Sequence, residues 1–180
     1  MKKKLTIKAK LLPQKIEGKY FDMTIHGFWH NVKIEGMEDS WRIDDDVKPV
    51  KRILNLIDIE FFNKTLDDFY LDSSIEHLRV FDINGYFLKM QSSSDKPLPH
   101  IVDYLDNGMH ILYTSSKQRG FIAFEKSSIP IGRIGLMYQS DSSEKDQYLE
   151  IDISDLEPLS TSIESKLKKL DKDHSLTEEF

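Results

Sequence analysis

Residues 78–91 read LRVFDINGYFLKMQ and residues 101–114 read IVDYLDNGMHILYT, and each run is interrupted by an Asn-Gly pair. Asn84-Gly85 and Asn107-Gly108 suit the type I′ turn, because both of its central residues need positive φ and these residue types tolerate it. The flanking residues resemble strands. We therefore predict two consecutive β-hairpins, each with Asn-Gly at the centre of its turn, and an antiparallel meander in the middle of the chain.

Further strands are indicated on both sides of these hairpins. At the N-terminal end, residues 5–11 alternate between apolar and polar side chains, and residues 21–25 and 32–35 form two more strand-like runs separated by a loop at 26–31. Towards the C-terminal end, strands are predicted at 120–125, 133–139 and 147–153. The close spacing of these runs is typical of a sandwich, a barrel or a curved sheet.

Two segments have helical features. Residues 48–62 begin with Pro49 in a first turn preceded by acidic residues, which favours a helix, although Ile57, Ile59 and Phe61 also alternate as in a strand. We favour the helix there and keep the strand as the alternative. Near the C-terminus, an apolar stripe and a capping-box spacing predict an amphipathic helix. The stripe consists of Leu156, Leu159, Ile163, Leu167 and Leu170.

These elements together predict the fold class and the domain organisation. We expect an α+β fold that is mostly antiparallel β, with a C-terminal amphipathic helix. Residues 1–172 are predicted to form a single domain, because 180 residues suit one core, and residues 173–180 to form a flexible tail.

Composition favours some functional classes over others. The net charge of −6 argues against nucleic-acid binding, which usually needs a basic face. Cysteine is absent, so the chain has neither disulfides nor thiolate metal ligands. No run is as long and apolar as a secretory signal or a membrane span. From these features we expect a soluble protein of the bacterial cytoplasm that binds neither membranes nor cofactors.

A metal site is one hypothesis for the N-terminal region. Asp22, His26 and His30 recur at four-residue intervals, and a carboxylate with two imidazoles can bind zinc or iron. Spacing alone is a weak signal, and loop histidines without a ligand role are the more common case. Serine doublets lie beside charged residues in turn-like segments, and none sits in a Gly-x-Ser-x-Gly motif.

Protein binding is the function that the sequence favours. Aromatic and acidic residues lie near one another in the sequence, and such a surface suits a basic protein partner. We expect a non-enzymatic binding module, of the kind that an immunity-type inhibitor of a toxin or other basic effector represents. A small metal-dependent or hydrolytic enzyme and a structural subunit of a larger assembly are the alternatives. The predicted partner-binding residues are Phe28, Trp29, Trp41, Asp44, Asp45 and Asp46.

Overall fold

The chain forms β-strands and connecting segments, and no helix, throughout the part that the computed structural model describes. That part comprises residues 3–36, 50–67, 69–71, 78–89, 110–138 and 147–160. It contains eleven strands: β1 Lys3–Lys8, β2 Gln14–Glu17, β3 Phe21–Gly36, β4 Val50–Asn63, β5 Phe69–Leu71, β6 Leu78–Asp82, β7 Phe87–Leu88, β8 His110–Leu112, β9 Lys117–Glu125, β10 Ile131–Tyr138 and β11 Gln147–Asp152.

The strands form two main sheets and one small strand pair. The five-stranded sheet has the order β1-β11-β10-β6-β7, the four-stranded sheet has the order β2-β3-β4-β9, and β5 pairs with β8. Only β1 and β11 run parallel, and every other described pair is antiparallel. The antiparallel sheet that the sequence predicts is confirmed. Its order is not that of a meander, because β6 lies beside β10 as well as β7.

The two main sheets pack face to face over one apolar core. Both sheets contribute alternate residues to it, as expected of a sandwich. The sheets also meet along their sides, where Glu125 N donates to Lys89 O at 3.0 Å and Lys19 N donates to Gln147 Oε1 at 3.0 Å. The core side chains that are at most 1% exposed are Phe21, Met23, Ile25, Phe28, Ile57, Ile59, Phe61, Val80, Phe124, Ile134, Leu136, Ile151 and Ile153.

The β6–β7 hairpin confirms the first predicted hairpin, but the predicted turn is wrong, because Ile83 and Asn84 take the two central positions and Gly85 follows them. Gly85 N donates to Asp82 O at 3.0 Å, and of the turn residues only Gly85 has positive φ, at 87°. The loop therefore has three residues, a type I turn followed by a glycine bulge. The Asp82 carboxylate explains the difference, because Oδ1 accepts from both Asn84 N and Tyr86 N at 2.9 Å. Asn107 and Gly108 lie outside the described residues.

Replacing Gly85 with valine should lower the free energy of unfolding by about 1–2 kcal/mol, because a β-branched residue resists positive φ. Gly85→Asn is the matched control, since asparagine tolerates this conformation and should cost less. Chemical denaturation of both variants measures the difference. Equal losses for valine and asparagine would contradict the turn geometry.

Residues 48–62 are not helical, and the favoured prediction for them is wrong. Residues 50–63 form β4, paired with β3 on one side and β9 on the other. Ile57 and Ile59 face the inter-sheet core, while Leu54 and Leu56 pack into a second cluster on the opposite face. A strand that is apolar on both faces has no clear two-residue period, which is why it resembled a helix.

The α+β assignment is wrong for the described residues, which are all-β. The predicted C-terminal helix does not begin at Ser154. Instead, Asp152 Oδ1 accepts from Ser154 N at 3.0 Å and closes a turn, and Leu159 N donates to Phe28 O at 2.8 Å. Leu156 N donates to Ile153 O at 2.9 Å, which closes a single turn, and the bond from Leu159 then ties the chain to β3. Residues 161–180, with the rest of the predicted stripe and tail, lie outside the described residues.

The predicted loop at 26–31 is also wrong, because β3 is one strand of 16 residues. It is interrupted by irregularities in its pairing with β4, between Ile25 and Gly27 and between Trp29 and Val32. Bulges of this kind change which face a side chain occupies without ending the strand. The strands predicted at 120–125, 133–139 and 147–153 correspond to β9, β10 and β11.

Candidate functional site

The three residues of the metal hypothesis lie along β3 with different neighbours. Asp22 lies between Lys15 Nζ at 3.0 Å and Lys64 Nζ at 2.6 Å. His26 Nε2 is 3.4 Å from Glu60 Oε2, and His30 Nε2 is 3.2 Å from Asn31 Nδ2. Four residues of an extended strand span about 13 Å, too far for neighbours in this series to share an ion. Among the described residues, no group of three or more His, Asp or Glu is arranged to hold a metal ion.

The outer face of the four-stranded sheet instead carries a network of ion pairs between strands. Arg119 on β9 donates to both carboxylate oxygens of Asp58 on β4 at 2.8 Å. Lys117 Nζ lies 3.7 Å from Glu60 Oε1, and Asp22 holds the two lysines described above. We call this set the outer-face ionic network: Lys15, Asp22, His26, Asp58, Glu60, Lys64, Lys117 and Arg119. Its ion pairs link charged side chains of β2, β3, β4 and β9 across the sheet.

The electrostatics of Asp22 follow from its surroundings. Burial alone would raise the pKa of this carboxyl, but the nearby ammonium groups of Lys64 and Lys15 outweigh burial and hold the pKa below its usual range. A carboxyl whose pKa is lower in the folded state contributes stability above its unfolded pKa. That stability is lost as pH falls through the folded pKa.

Asp22→Asn should therefore make stability less dependent on pH in the acid range. The wild-type protein should be more stable than the variant at pH 7, and the difference should shrink below about pH 4, the range in which an unfolded Asp titrates. Denaturation of both proteins between pH 7 and pH 2 measures this. A difference that is constant over that range would show that Asp22 has the same pKa in both states.

A second ionic cluster surrounds Glu150 on the outer face of the five-stranded sheet. Lys4 Nζ lies 3.1 Å from this buried carboxylate, Tyr148 Oη donates to it at 3.0 Å, and Arg133 Nη1 lies at 3.7 Å. Burial, reinforced by Glu150, raises the pKa of Tyr148, so the phenol stays protonated and remains a donor. The Arg133 guanidinium also lies 4.9 Å above the Phe81 ring.

The two described aromatic residues that the sequence predicts to bind a partner are buried. Phe28 and Trp29 are each 1% exposed. Phe28 belongs to the inter-sheet core, and Trp29 packs on the opposite face with Leu54, Leu56 and Phe121. Their alternation along β3 buries both rings, so neither presents a contact surface in this structure. Trp41, Asp44, Asp45 and Asp46 lie outside the described residues.

The second irregularity of β3 is held by a polar cluster. Asn31 has positive φ, at 48°, which is uncommon for a residue with a side chain. Its backbone N donates to Asn55 Oδ1 at 2.8 Å, its Nδ2 donates to Ser127 O at 2.8 Å, and its Oδ1 accepts from Ser127 N at 3.1 Å. Asn55, fully buried, donates in turn to Glu125 O at 2.9 Å. The cluster ties β3 to β4 and to the segment that follows β9.

Beyond this cluster, β3 and β4 continue as a pair. β9 pairs with β4 only from Leu54 onward, and β2 pairs with β3 only up to Ile25. The β3–β4 register nevertheless runs on through Lys33↔Ile53 to Gly36↔Val50. Residues 33–36 and 50–53 thus form a two-stranded extension past the described strands on either side. We call it the β-arm.

Exposed apolar residues also mark the β6–β7 hairpin. Ile83, Tyr86 and Phe87 are 51%, 71% and 38% exposed. We call these three residues the hairpin tip. Sequence reasoning found the hairpin but not the exposure of its residues, because the alternating pattern does not show which face a neighbouring strand covers.

Comparisons with known proteins identify no relative of established function. No protein-family model matches the chain, and no curated protein matches it in sequence. Among solved structures, the chain is similar to the following three. The YjhA protein of Bacillus subtilis is 11% identical, with a TM-score of 0.48, over 77% of this chain and 97% of its own. The secreted protein MPT63 of Mycobacterium tuberculosis is 9% identical, with a TM-score of 0.45, over 82% and 98%.

The third structure is the YcdA protein of Bacillus subtilis, which is 8% identical with a TM-score of 0.43. The match covers 77% of this chain but only 38% of YcdA. Similarity at this level does not indicate a shared function. The described part of the chain contains no helix with the length and hydropathy that crossing a membrane requires.

Proposed function

We propose that this chain is a protein-binding module whose partner is a basic protein, and that it acts as an immunity-type inhibitor of a toxin or other basic effector. The partner would be contacted by the segment 37–49, which joins the two strands of the β-arm and contains Trp41 and Asp44 to Asp46. The β-arm is the observation that carries the proposal. Gly36 and Val50, the described residues that border this segment, lie beyond the strands that flank β3 and β4.

The distribution of charge along the chain supports this proposal. The described residues hold 16 Lys and Arg against 12 Asp and Glu, a formal charge of +4. The remaining residues hold 9 against 19, a formal charge of −10. The acidity of the protein thus belongs to segments outside the described strands. Segment 37–49 alone has five acidic residues against two basic ones.

Complementary charge would serve such an inhibitor in two ways. Oppositely charged surfaces raise the rate of encounter, and like-charged surfaces suppress wrong partners. Tryptophan is among the residues that contribute most to binding energy at protein interfaces. Segment 37–49 combines both features, because the consecutive residues Asp44, Asp45 and Asp46 follow shortly after Trp41 in the sequence.

Affinity capture from native host extract tests the proposal. The wild-type chain is compared with a variant carrying Asp44→Asn, Asp45→Asn and Asp46→Asn. A matched control carries Glu17→Gln, Asp67→Asn and Glu157→Gln, which removes the same amount of negative charge from exposed described positions. We expect wild type and control to capture one basic protein that is released by salt, and the first variant to lose it. Equal capture by all three proteins, or capture of an acidic protein, would contradict the proposal.

A further inference from the structure

The outer face of the five-stranded sheet carries cations on both sides of a buried carboxylate. Gly135 on β10 is the register partner of Glu150 on β11 and of Arg79 on β6. The Cα atoms of Glu150 and Arg79 are therefore about 10 Å apart, with only a glycine between them in the sheet. Lys4 and Arg133 approach the same carboxylate. We call this set the Glu150 cluster: Lys4, Arg79, Arg133, Tyr148 and Glu150.

The ring of Tyr148 occupies the space above Gly135. A Cβ atom at position 135 would meet Tyr148 Cζ at 2.6 Å, so the glycine is what lets the ring cross onto β10. The phenol donates from there to Glu150. Burial and Glu150 raise the pKa of Tyr148, and the charges of Arg79 and Arg133 oppose that rise, as expected of guanidinium groups near the phenol. The glycine thus gathers both arginines and the carboxylate around one phenol.

Glu150 leaves much of the hydrogen-bonding capacity of the two arginines unused. Its Oε1 lies 3.1 Å from Lys4 Nζ, and its Oε2 accepts from Tyr148 at 3.0 Å. Arg133 Nη1 is 3.7 Å from Oε2, which is beyond hydrogen-bond distance. Within the described residues, Arg79 forms neither an ion pair nor a hydrogen bond. Both guanidinium groups therefore retain donors that can bind an anion.

An aromatic pair borders the cluster and restrains Arg133. The guanidinium lies 4.9 Å above the Phe81 ring, and Phe81 meets Phe87 edge to face at 6.0 Å between ring centroids. This stacking orders the guanidinium before a ligand arrives, which lowers the entropy cost of binding. Phe87 of the hairpin tip is 38% exposed and offers an apolar surface beside the arginine.

The charge of the cluster selects the kind of anion. Three positive side chains and one carboxylate give it a formal charge of +2. Lys8 and Asp152, the next charged residues on this face, are register partners and balance each other. A phosphate monoester carries about −1.5 to −2 charges at pH 7, whereas a carboxylate or a phosphodiester carries a single one. The planar fork of a guanidinium also matches phosphate oxygens with two parallel hydrogen bonds.

From these observations we infer that the Glu150 cluster binds a dianionic phosphate group, either as free phosphate or as the terminal phosphate of a small molecule. Arg79 and Arg133 donate to the phosphate oxygens, and Lys4 contributes charge. The apolar part of an organic ligand rests on Phe87. The inference goes beyond the proposed function and does not depend on it, because it concerns a different sheet and a ligand of opposite charge.

Calorimetric titration of the full chain at pH 8 and constant ionic strength tests this inference. Phenyl phosphate, a dianion, is compared with methyl phenyl phosphate, a monoanion with the same ring, and with inorganic phosphate. We expect phenyl phosphate to bind about tenfold or more tightly than its methyl ester, since the ester lacks one charged oxygen. Tighter binding of phenyl phosphate than of inorganic phosphate identifies an organic ligand, and equal binding identifies free phosphate; both support the site.

Two variants and a control place the ligand on the cluster. Arg79→Met and Arg133→Met should each weaken the binding of phenyl phosphate by about 10- to 100-fold, as expected when a hydrogen bond between charged groups is lost. Lys33→Met removes one positive charge from an exposed position on β3, in the other sheet, and should leave the affinity unchanged. Urea denaturation checks that each variant is folded. If Arg133→Met does not fold, Arg79→Met decides, because Arg79 has no described ion pair to lose.

Several results would overturn the inference. Equal affinities for phenyl phosphate and its methyl ester would indicate general attraction to a basic surface. Tighter binding of a single-stranded oligonucleotide than of phenyl phosphate would show that the face takes a polymer of phosphodiesters. An affinity that Arg79→Met leaves unchanged, or that Lys33→Met lowers as much, would place the ligand elsewhere. The inference also fails if neither phenyl phosphate nor inorganic phosphate binds at millimolar concentration.

Discussion

Replacing Trp29 with alanine is expected to lower the free energy of unfolding by about 3–5 kcal/mol. The indole is buried on the outer face of the four-stranded sheet, where it packs with Leu54, Leu56 and Phe121 and meets the Phe121 ring at 5.8 Å between centroids. Removing the indole leaves a cavity between side chains of β4 and β9, which the paired strands cannot close by moving together. Chemical denaturation of the purified variant measures the loss.

The control for Trp29 is Tyr86→Ala. Tyr86 is exposed, so its removal should change stability by no more than about 0.5 kcal/mol. Comparing the two variants tests whether Trp29 stabilises the fold or binds a partner. The sequence predicts Trp29 as a binding residue, whereas the structure buries it. A Trp29→Ala protein that unfolds like wild type but fails to bind its partner would show that the tryptophan belongs to the interface.

Replacing Arg119 with methionine is expected to cost about 1–3 kcal/mol. Asp58 is 4% exposed in its side chain, and its bidentate partner Arg119 is 49% exposed. Losing one member of a buried pair can cost about 3–5 kcal/mol, because an unpaired charge remains buried. We reduce that figure because solvent reaches the guanidinium and screens the interaction.

A double variant checks the physical reason for this loss. Asp58→Leu together with Arg119→Met removes both charges, so no unpaired carboxylate remains buried, and stability should recover part or all of the way to that of wild type. Unfolding free energies of both single variants and the double variant close the cycle. A double variant that loses as much as the two single variants combined would show that the pair does not act as a unit.

Several strands were predictable because their side chains alternate over one buried face. β6 shows this pattern, with Leu78 and Val80 buried in the core, and Asn84-Gly85 marks the reversal between β6 and β7. The exact turn was not predictable from the Asn-Gly pair, because the Asp82 side chain supplies the hydrogen bonds that select the three-residue loop. Local propensity identified the hairpin, and a neighbouring carboxylate set its geometry.

The errors have a common physical origin in tertiary context. β4 is apolar on both faces around Leu54 to Ile57, because one face meets the second sheet and the other meets Trp29 and Leu159. Residues buried on both faces lose the two-residue period. The described part of the C-terminal stripe was misread as helical for a related reason, since Leu156 packs against the inter-sheet core and Leu159 against the outer cluster.

The candidate site was harder to predict than the fold. Asp58 and Arg119 are 61 residues apart in the chain, and only the β4–β9 register brings them together. The β-arm likewise exists because β3 and β4 extend further than β2 and β9. Predicting it requires the registers of three strand pairs, β2–β3, β3–β4 and β4–β9. Only the acidic segment 37–49 was evident from residue types alone.

The proposed function requires that charge on segment 37–49 drives association with a basic protein. Association rates of the captured protein with wild type and with the Asp44→Asn, Asp45→Asn, Asp46→Asn variant, measured across ionic strength, test this most directly. We predict a wild-type rate that falls steeply with salt, a variant rate about tenfold or more lower at low salt, and similar dissociation rates. Association rates that are equal for the two proteins and insensitive to salt would contradict the account.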